Sequence, residues 1–262
     1  MYPILGQYGR FFLYSYTTVL ALGILAGIGL TARQAQGRPQ HLWLNAFLVA
    51  FIAAMLGGRL GFVWHEWHYF QERPYEIWQL WQGGYAYHTA LITALAALWL
   101  WARYHQLSFG LITSWLTPAF ALVQLAGWIA CWLEACAYGR STLPGLLAAD
   151  LPDQFGVFDI RYQTQLMGII WHTAVLFFTL RFSTRLPPTA RFWATLTLIS
   201  FGRSLISPLR GDPTFHLSQW RLDTLLDITL AILSLILLQY TKRGNHETKS
   251  RTGTNYTKTG RP

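Results

Sequence analysis

The sequence predicts an all-α protein, a polytopic membrane helix bundle with about seven transmembrane spans, and three observations lead to this fold class. Hydrophobic residues make up 53% of the 262 residues, whereas charged residues make up only 12%, about half the charged share of a typical soluble domain. Tryptophan occurs 13 times, as expected for a chain that must anchor itself at two membrane interfaces. Apolar stretches long enough to cross a hydrocarbon core of about 30 Å recur along the chain.

Seven apolar stretches are the predicted transmembrane helices. In chain order they cover residues 11–30, 42–63, 87–101, 109–133, 163–182, 192–207 and 220–240. Such helices satisfy their backbone hydrogen bonds internally, which the hydrocarbon core requires. The first stretch has no small-residue cleavage site before a polar region, so we expect a retained helix rather than a signal peptide. Residues 1–243 are therefore predicted to form a transmembrane domain, and the polar residues 244–262 a disordered cytoplasmic tail.

The distribution of charged residues predicts the orientation in the membrane. Basic residues follow the odd-numbered spans, at Arg33, Arg38, Arg103, Arg181, Arg185, Arg191 and in the tail after Tyr240. The opposite connections are acidic, with Glu66, Glu72, Glu76, Asp150, Asp153 and Asp159. Because lysine and arginine in short loops stay cytoplasmic, we expect the N-terminus outside and the C-terminus inside. The net charge of +9 is then a signature of topology, and no nucleic-acid partner is expected.

Ionisable side chains in or beside the spans gather at the predicted outer face. They are Arg59, His88, Arg161, Arg203, Arg210, Arg221, Asp223 and Asp227. Each is a functional candidate, since such groups are expensive to bury in a membrane. Arginine is suited to bidentate contacts with phosphate, and these arginines exceed what anchoring at one face requires. The pattern indicates a phosphate-bearing substrate that is reached from the outer leaflet.

Structural roles are the alternative for several of these side chains. Asp223 and Asp227 are four residues apart and share one helical face, so either carboxylate is a candidate ion-pair partner for Arg203. His88, at the start of a span, is alternatively an interfacial residue that takes part in ordinary hydrogen bonds. These alternatives require no substrate.

The two cysteines have a spacing that does not suggest a joint site. Cys131 and Cys136 are five residues apart, which predicts that they lie on different faces of a helix as small, buried apolar residues. No pair of histidines has the spacing of metal ligands beside a carboxylate, so no metal site is expected. The sequence also contains no nucleotide-binding loop and no nucleophile elbow.

Short motifs occur in a fixed order along the membrane part. They are FLY at 12–14, GGRLGF at 57–62, WQGGYAYH at 81–88, RYQTQL at 161–166, FGR at 201–203 and RGDP at 210–213. In this order they resemble the prolipoprotein diacylglyceryl transferase family, whose corresponding segments include GGRIGY, WDGGMSFH and RHPSQL. The resemblance extends over about residues 11–240 and implies a seven-span enzyme of the bacterial inner membrane.

The predicted fourth span departs from the family pattern. The family signature there reads GRxGNFxNxE, whereas this chain reads GWIACWLEAC. Trp128 replaces the arginine, Cys131 the first asparagine, Glu134 the second asparagine and Cys136 the glutamate. The YGR that follows fits the family again.

The resemblance implies the family's reaction, in which a diacylglyceryl group passes from phosphatidylglycerol to the thiol of a lipobox cysteine and glycerol phosphate leaves. The thiol must be deprotonated when it attacks, and fixed cations must meet the charge of the departing phosphate. The resemblance implies catalytic roles for His88 as the base, for Arg203 and for Tyr14. It implies substrate-binding roles for Arg59, Arg161, Gln165, Arg210, Glu134 and Gly139. The expected partners are phosphatidylglycerol, prolipoprotein signal peptides and membrane lipids, and no cofactor is expected.

Two other functions stay open. One is a non-catalytic lipid-binding or structural membrane subunit derived from the family, which Trp128, Cys131 and Cys136 favour because they make a polar site more apolar. The other is a lipid-modifying transferase with a different acceptor. Rescue of a strain that lacks its own transferase would discriminate between these functions.

Overall fold

The computed structural model describes residues 3–258, with the backbone alone for Phe11 and residues 244–258, and this part of the chain is mostly helical. Its α-helices are α1 (Ser15–Gln34), α2 (Gln40–His65), α3 (Trp67–Phe70), α4 (Tyr87–Tyr104), α5 (Phe109–Glu134), α6 (Thr164–Arg181), α7 (Pro188–Ile206) and α8 (Leu222–Lys258). Within these residues, 4 helices are long and apolar enough to cross a membrane, namely α1, α2, α5 and the Leu222–Arg243 part of α8.

The seven longer helices occupy the seven predicted stretches and begin within about one helical turn of the predicted starts. Helices α4, α6 and α7 are not among the four apolar candidates, so the number of spans stays a prediction. The structure continues α8 to Lys258. For the predicted disordered tail, residues 244–262, the described part contains only the backbone of residues 244–258. The disorder of this tail therefore also stays a prediction.

Three two-stranded antiparallel hairpins depart from the all-α expectation. They are formed by β1 (Ile4–Tyr8) with β2 (Phe11–Tyr14), β3 (Ala148–Pro152) with β4 (Phe158–Tyr162), and β5 (His216–Leu217) with β6 (Trp220–Arg221). The prediction that helix begins at residue 11 and at residue 220 is therefore wrong. Apolar residues continue through β2 into α1, so hydrophobicity alone does not separate strand from helix there. Strand β6 has only two residues, Trp220 and Arg221, too few for a hydropathy pattern to identify it.

The chain divides into two compact units, one comprising Met1–Gly27 with Thr117–Pro262 and the other Ile28–Leu116. In the smaller unit, α2 packs closely on α4 because two glycines face two threonines. A Cβ atom built on Gly57 would lie 2.0 Å from Oγ1 of Thr93, and one on Gly61 would lie 2.0 Å from Oγ1 of Thr89. Small residues allow such close helix packing in membrane proteins.

In the larger unit, glycines receive large aromatic side chains from neighbouring helices. A Cβ atom on Gly168 of α6 would lie 2.2 Å from the indole of Trp128 in α5. A Cβ atom on Gly202 of α7 would lie 2.0 Å from Nε1 of Trp171 in α6. The indole N–H of Trp171 donates to the Leu198 carbonyl over 2.9 Å, so α5, α6 and α7 are held by packing as well as by hydrogen bonds.

Candidate functional site

The end of α5 is closed by a disulfide. The helix ends at Glu134, Ala135 follows with a φ of 62°, and the Cys136 N–H donates to the Cys131 carbonyl over 3.1 Å. This is the hydrogen bond of a Schellman cap, and it brings the two cysteines to a Cα–Cα distance of 4.6 Å, where they are disulfide-bonded. The prediction that they are separate apolar residues is wrong, because it applied the geometry of a continuous helix to both cysteines, whereas α5 ends at Glu134, between them.

Residues 135–141 form a turn, here called the 135–141 turn, that holds the start of α6. The hydroxyl of Thr164 donates to the Ala137 carbonyl over 2.7 Å. The side-chain amide of Gln165 donates to the Cys136 carbonyl over 3.1 Å, and Gln165 is only 1% exposed. Gln165, predicted to bind substrate, therefore anchors this backbone.

The same turn also holds β4 and the loop after α7. The Gly211 N–H donates to the Tyr138 carbonyl over 2.8 Å, and the Tyr162 N–H donates to the Arg140 carbonyl over 3.2 Å. A Cβ atom on Gly139 would lie 2.1 Å from the Tyr162 carbonyl oxygen. Gly139 is thus required for close backbone approach, which accounts for a glycine at this predicted site position.

Arg161 lies against the turn and is largely buried. Its Nη2 donates to Oδ2 of Asp153 over 3.2 Å, and its guanidinium lies 5.2 Å from the ring centroid of Tyr138. Among the described residues, the buried Nε of Arg161 has no hydrogen-bond partner. Burial raises the pKa of the Tyr138 hydroxyl, the carboxylates of Asp153 and Asp212 raise it further, and Arg161 and Arg221 offset part of this rise. The Tyr138 phenol therefore stays protonated and is available as a donor.

Arg210 belongs to a network of two arginines and two aspartates whose side chains are 10% to 18% exposed. It contacts both carboxylate oxygens of Asp212, with 2.8 Å from Nε to Oδ1, and its Nη1 lies 3.4 Å from Oδ2 of Asp223. Arg221 lies 3.4 Å from Asp212 and 3.3 Å from Asp223. Gly139 pairs with Arg210 in a β-bridge, so this network adjoins the 135–141 turn.

Arg203 of α7 is ion-paired with α8. Its Nε lies 3.0 Å from Oδ1 and 3.2 Å from Oδ2 of Asp227, which is 1% exposed. The alternative prediction of an ion pair with one of the two aspartates is confirmed for Asp227, while Asp223, one turn earlier, contacts Arg210 and Arg221. A predicted phosphate ligand is thus held in place by a buried carboxylate.

Sequence reasoning missed a buried histidine beside this pair. His172 of α6 is 1% exposed, and it interacts electrostatically with Arg203 and Asp227. Its Nδ1 lies 2.8 Å from the Gly168 carbonyl, so Nδ1 carries the proton that it donates. The ring of Trp128 lies 5.6 Å from that of His172. The indole that replaces the family's arginine therefore fills the space between α5 and α6.

Two further predicted site residues lie near the start of α1 and the end of α5. Tyr14 is the last residue of β2 and is 49% exposed. Tyr16, two residues later, is half-buried and interacts electrostatically with the Glu134 carboxylate. Glu134 itself is exposed. Tyr16 is thus a neighbour of Glu134 that the sequence analysis did not single out.

In the smaller unit, Arg59 holds a loop. This arginine is 3% exposed and donates to the carbonyls of Ile77 over 3.0 Å, Gly83 over 2.6 Å and Glu76 over 2.6 Å. Its guanidinium also lies 5.1 Å from the ring centroid of Phe70. Three carbonyls around one guanidinium fix the path of residues 76–83, the segment that leads to α4.

His88 lies in the first turn of α4, directly after that loop, and is half-buried. The loop reaches α4 through Gly84, which has a φ of 73° and whose Cβ would lie 2.5 Å from the ring of Phe62. Only glycine combines this backbone conformation with such contact. The His88 ring lies 5.1 Å from that of Tyr87. The predicted base and Arg59 thus belong to one local structure.

Comparison with known proteins assigns a family to this arrangement. The family profile described as "Prolipoprotein diacylglyceryl transferase" matches residues 3–240. A phosphatidylglycerol–prolipoprotein diacylglyceryl transferase of Cutibacterium acnes is 31% identical over 248 residues, which cover 87% of this chain and 84% of that protein. Proteins of the same name from Geobacillus kaustophilus, 30% identical over 246 residues (87% and 88% covered), and Bacillus cereus, 29% identical over 242 residues (88% and 89% covered), are also similar.

Proposed function

The chain belongs to the prolipoprotein diacylglyceryl transferase family, and we propose that it transfers a diacylglyceryl group from phosphatidylglycerol to the lipobox cysteine of prolipoproteins. The observation that carries this function is the match over almost the whole chain, with relatives of nearly the same extent that bear this activity in their names. Among the three functions that the sequence left open, the transfer reaction is the one that these matches support.

The reaction requires a base and an arrangement of cations. The sulfur of the acceptor forms a bond to the terminal glyceryl carbon while the bond between that carbon and the phosphate oxygen breaks, and glycerol phosphate leaves with the bonding electrons. The thiol proton goes to a general base, for which His88 is our candidate. The leaving group carries negative charge, which fixed guanidinium groups stabilise without reorganisation if they are already oriented.

Arg161, Arg203 and Arg210 are our candidates for these cations. Each is oriented by an aspartate, namely Asp153, Asp227 and Asp212. Arg161 offers the most direct support, because its buried Nε has no hydrogen-bond partner within the described chain and an unsatisfied buried donor is costly. A phosphate oxygen bound at Nε would satisfy this donor.

Arg59 is assigned a different role from the one that its motif implied. Its donors reach three backbone carbonyls, so we assign it to positioning the 76–83 loop, and through it His88, rather than to binding phosphate. Lysine would be a poor substitute, because a compact ammonium group does not reproduce the planar fork of a guanidinium.

The same proposal includes seven spans in the bacterial inner membrane, with the N-terminus outside and the C-terminus inside. The basic connections support this orientation. The disulfide at the end of α5 supports it independently, because that end of the fourth span would lie on the outer side, and disulfides persist outside the reducing cytoplasm.

Rescue of a bacterial strain that lacks its own transferase tests the function. We expect the wild-type chain to restore growth and lipoprotein processing, and His88→Ala or Arg161→Ala to abolish the rescue. The matched controls are His68→Ala and Arg185→Ala, which change the same residue types outside the candidate site. Trp128→Arg restores the family's cation, and we expect it to be harmful, because the indole packs on Gly168 and His172. Absence of rescue by a well-expressed wild type would instead favour the non-catalytic subunit or a different acceptor.

A further inference from the structure

The 135–141 turn has a backbone conformation that its own sequence does not favour. Ala135 and Ala137 have φ values of 62° and 53°, in the left-handed region where a Cβ atom is disfavoured and glycine is the usual residue. Non-glycine residues keep this conformation only where the surroundings determine it. Two such residues, separated by Cys136, indicate that something other than local preference holds the turn.

The disulfide is the covalent part of what holds it. It joins Cys136, which lies between the two alanines, to Cys131 in the last turns of α5. Hydrogen bonds from Thr164 and Gln165 to the carbonyls of Ala137 and Cys136 attach the turn to the start of α6. Backbone hydrogen bonds with Tyr162 and Gly211 attach it to β4 and to the loop after α7.

The 135–141 turn also contacts the segments that carry the candidate cations Arg161 and Arg210. Tyr138 lies under Arg161 and accepts the hydrogen bond from Gly211. Gly139 pairs with Arg210. The turn therefore pairs with both segments that carry these arginines. Arg161 belongs to β4, and Arg210 belongs to the loop after α7.

We propose that the Cys131–Cys136 disulfide is a positioning element of the transferase, which holds the 135–141 turn so that Arg161 and Arg210 keep their places, and that activity therefore requires these cysteines to be oxidised. This proposal rests on the proposed function. It also gives the two cysteines a role, although they stand where the family signature has polar residues.

Reduction is the perturbation that the proposal predicts to matter. A thiolate of a dithiol attacks the sulfur of one cysteine, which forms a mixed disulfide and releases the other cysteine as a thiolate. The second thiol of the reductant then displaces the cysteine that is held in the mixed disulfide. The chain gains two electrons and two protons, and the reductant becomes a cyclic disulfide. Both cysteines are half-buried rather than fully enclosed, so a small dithiol such as dithiothreitol has access. The bond closes a loop with a sequence separation of 5, for which the chain-entropy relation gives an opening equilibrium increased by about fortyfold on reduction.

The experiment uses the full chain in nanodiscs that contain phosphatidylglycerol. The protein is reduced with dithiothreitol, the reductant is removed, and hydrogen exchange and transfer to a pre-reduced lipobox peptide are measured. We expect faster exchange in peptides that cover the 135–141 turn and Gly211, with unchanged exchange in α2, and a loss of transfer that reoxidation reverses. The double variant Cys131→Ser/Cys136→Ser should behave as the reduced protein does and should no longer respond to dithiothreitol.

A glycine rescue separates positioning from a general loss of stability. In the background of the double serine variant, Ala135→Gly removes the steric cost of the left-handed conformation, so we expect it to slow exchange at the turn and to restore part of the activity. The matched control is Ser218→Gly, which relieves a φ of 59° in the β5–β6 turn and should restore neither.

Four results would overturn the proposal. They are free thiols at both cysteines in the untreated protein, unchanged exchange at the turn after reduction, full activity of the reduced protein, and equal rescue by the two glycine variants. Failure of the proposed function is distinguishable, since it would abolish transfer in every form, including the oxidised wild type, while hydrogen exchange would still report whether the disulfide holds the turn.

Discussion

Replacing Arg203 alone, and then Arg203 together with Asp227, separates the structural role of this ion pair from a role in the reaction. Arg203→Ala leaves the Asp227 carboxylate, which is 1% exposed, without the guanidinium that lies 3.0 Å away. Arg203→Met/Asp227→Leu removes both charges and refills the space with apolar side chains of similar volume. The two variants therefore lack the same cation but differ in what they leave buried.

The expected magnitudes differ accordingly. Removing one partner of a buried ion pair costs about 3–5 kcal/mol, because an uncompensated charge stays buried, whereas apolar replacement of both partners is often neutral or stabilising. If Arg203 also stabilises the departing phosphate, its loss costs a further ~3 kcal/mol in the transition state, or roughly a hundredfold in rate. The double variant should recover stability and should stay about a hundredfold less active.

The free energy of unfolding is measured in bilayers by steric trapping, and the transfer rate is measured with phosphatidylglycerol and a lipobox peptide. The control is the single change Arg185→Met, which removes an arginine but leaves the contact between Arg203 and Asp227 intact. The reasoning is refuted if the double variant is as active as the wild type, because Arg203 would then serve only as the counter-ion of Asp227. It is refuted also if Arg203→Ala is as stable as the double variant.

Three further predictions concern the loop, the tyrosine and the topology. Arg59→Lys should speed proteolysis or hydrogen exchange of residues 76–83 and lower the rate of transfer, because one ammonium group cannot hold three carbonyls. Unchanged exchange in this loop would show that the loop does not depend on Arg59. The pKa of the Tyr138 phenol is raised chiefly by burial, so we expect the phenol to ionise above the ordinary value of about 10. The stability that the protonated phenol contributes is present below that value and is lost as pH rises through the folded-state pKa. Tyrosinate absorbance of the wild type minus that of Tyr138→Phe measures this pKa, and Asp153→Asn should lower it part of the way; a titration at the ordinary value in the wild type would contradict the burial. Single cysteines introduced as Gln36→Cys and Ser250→Cys should react with an impermeant thiol reagent only after the cytoplasmic side is exposed, and Gln154→Cys should react in intact cells without an outer membrane; reversed labelling would contradict the orientation.

The longer helices were predictable from the sequence because long apolar stretches favour helix, and seven helices of the described part begin close to the seven predicted stretches. The hairpins were not, because β2 is as apolar as the helix that it precedes and β6 has only two residues. A two-stranded ribbon depends on pairing between residues that hydropathy does not register. The start of the first span at Phe11, which is part of β2, is an instance.

The candidate site was predictable in its residues more than in their contacts. The sequence identified Arg161, Arg203 and Arg210 as unusual charges, yet their binding to Asp153, Asp227 and Asp212 depends on which elements meet in the fold. The disulfide was missed for a local reason. Assigning residues to helical faces from a spacing of five holds only within a helix. Here Ala135, a left-handed residue at the helix end, brings Cys136 back toward Cys131.

Transfer by the purified protein tests the central claim most directly. The full chain is incubated in vesicles of phosphatidylglycerol with a lipobox peptide, and mass spectrometry follows the peptide while released glycerol phosphate is quantified. The account predicts a diacylglyceryl thioether on the cysteine, in equal amount to the glycerol phosphate, and no modification of a peptide with serine in place of that cysteine. A folded, lipid-bound protein that produces neither the thioether nor glycerol phosphate would contradict it.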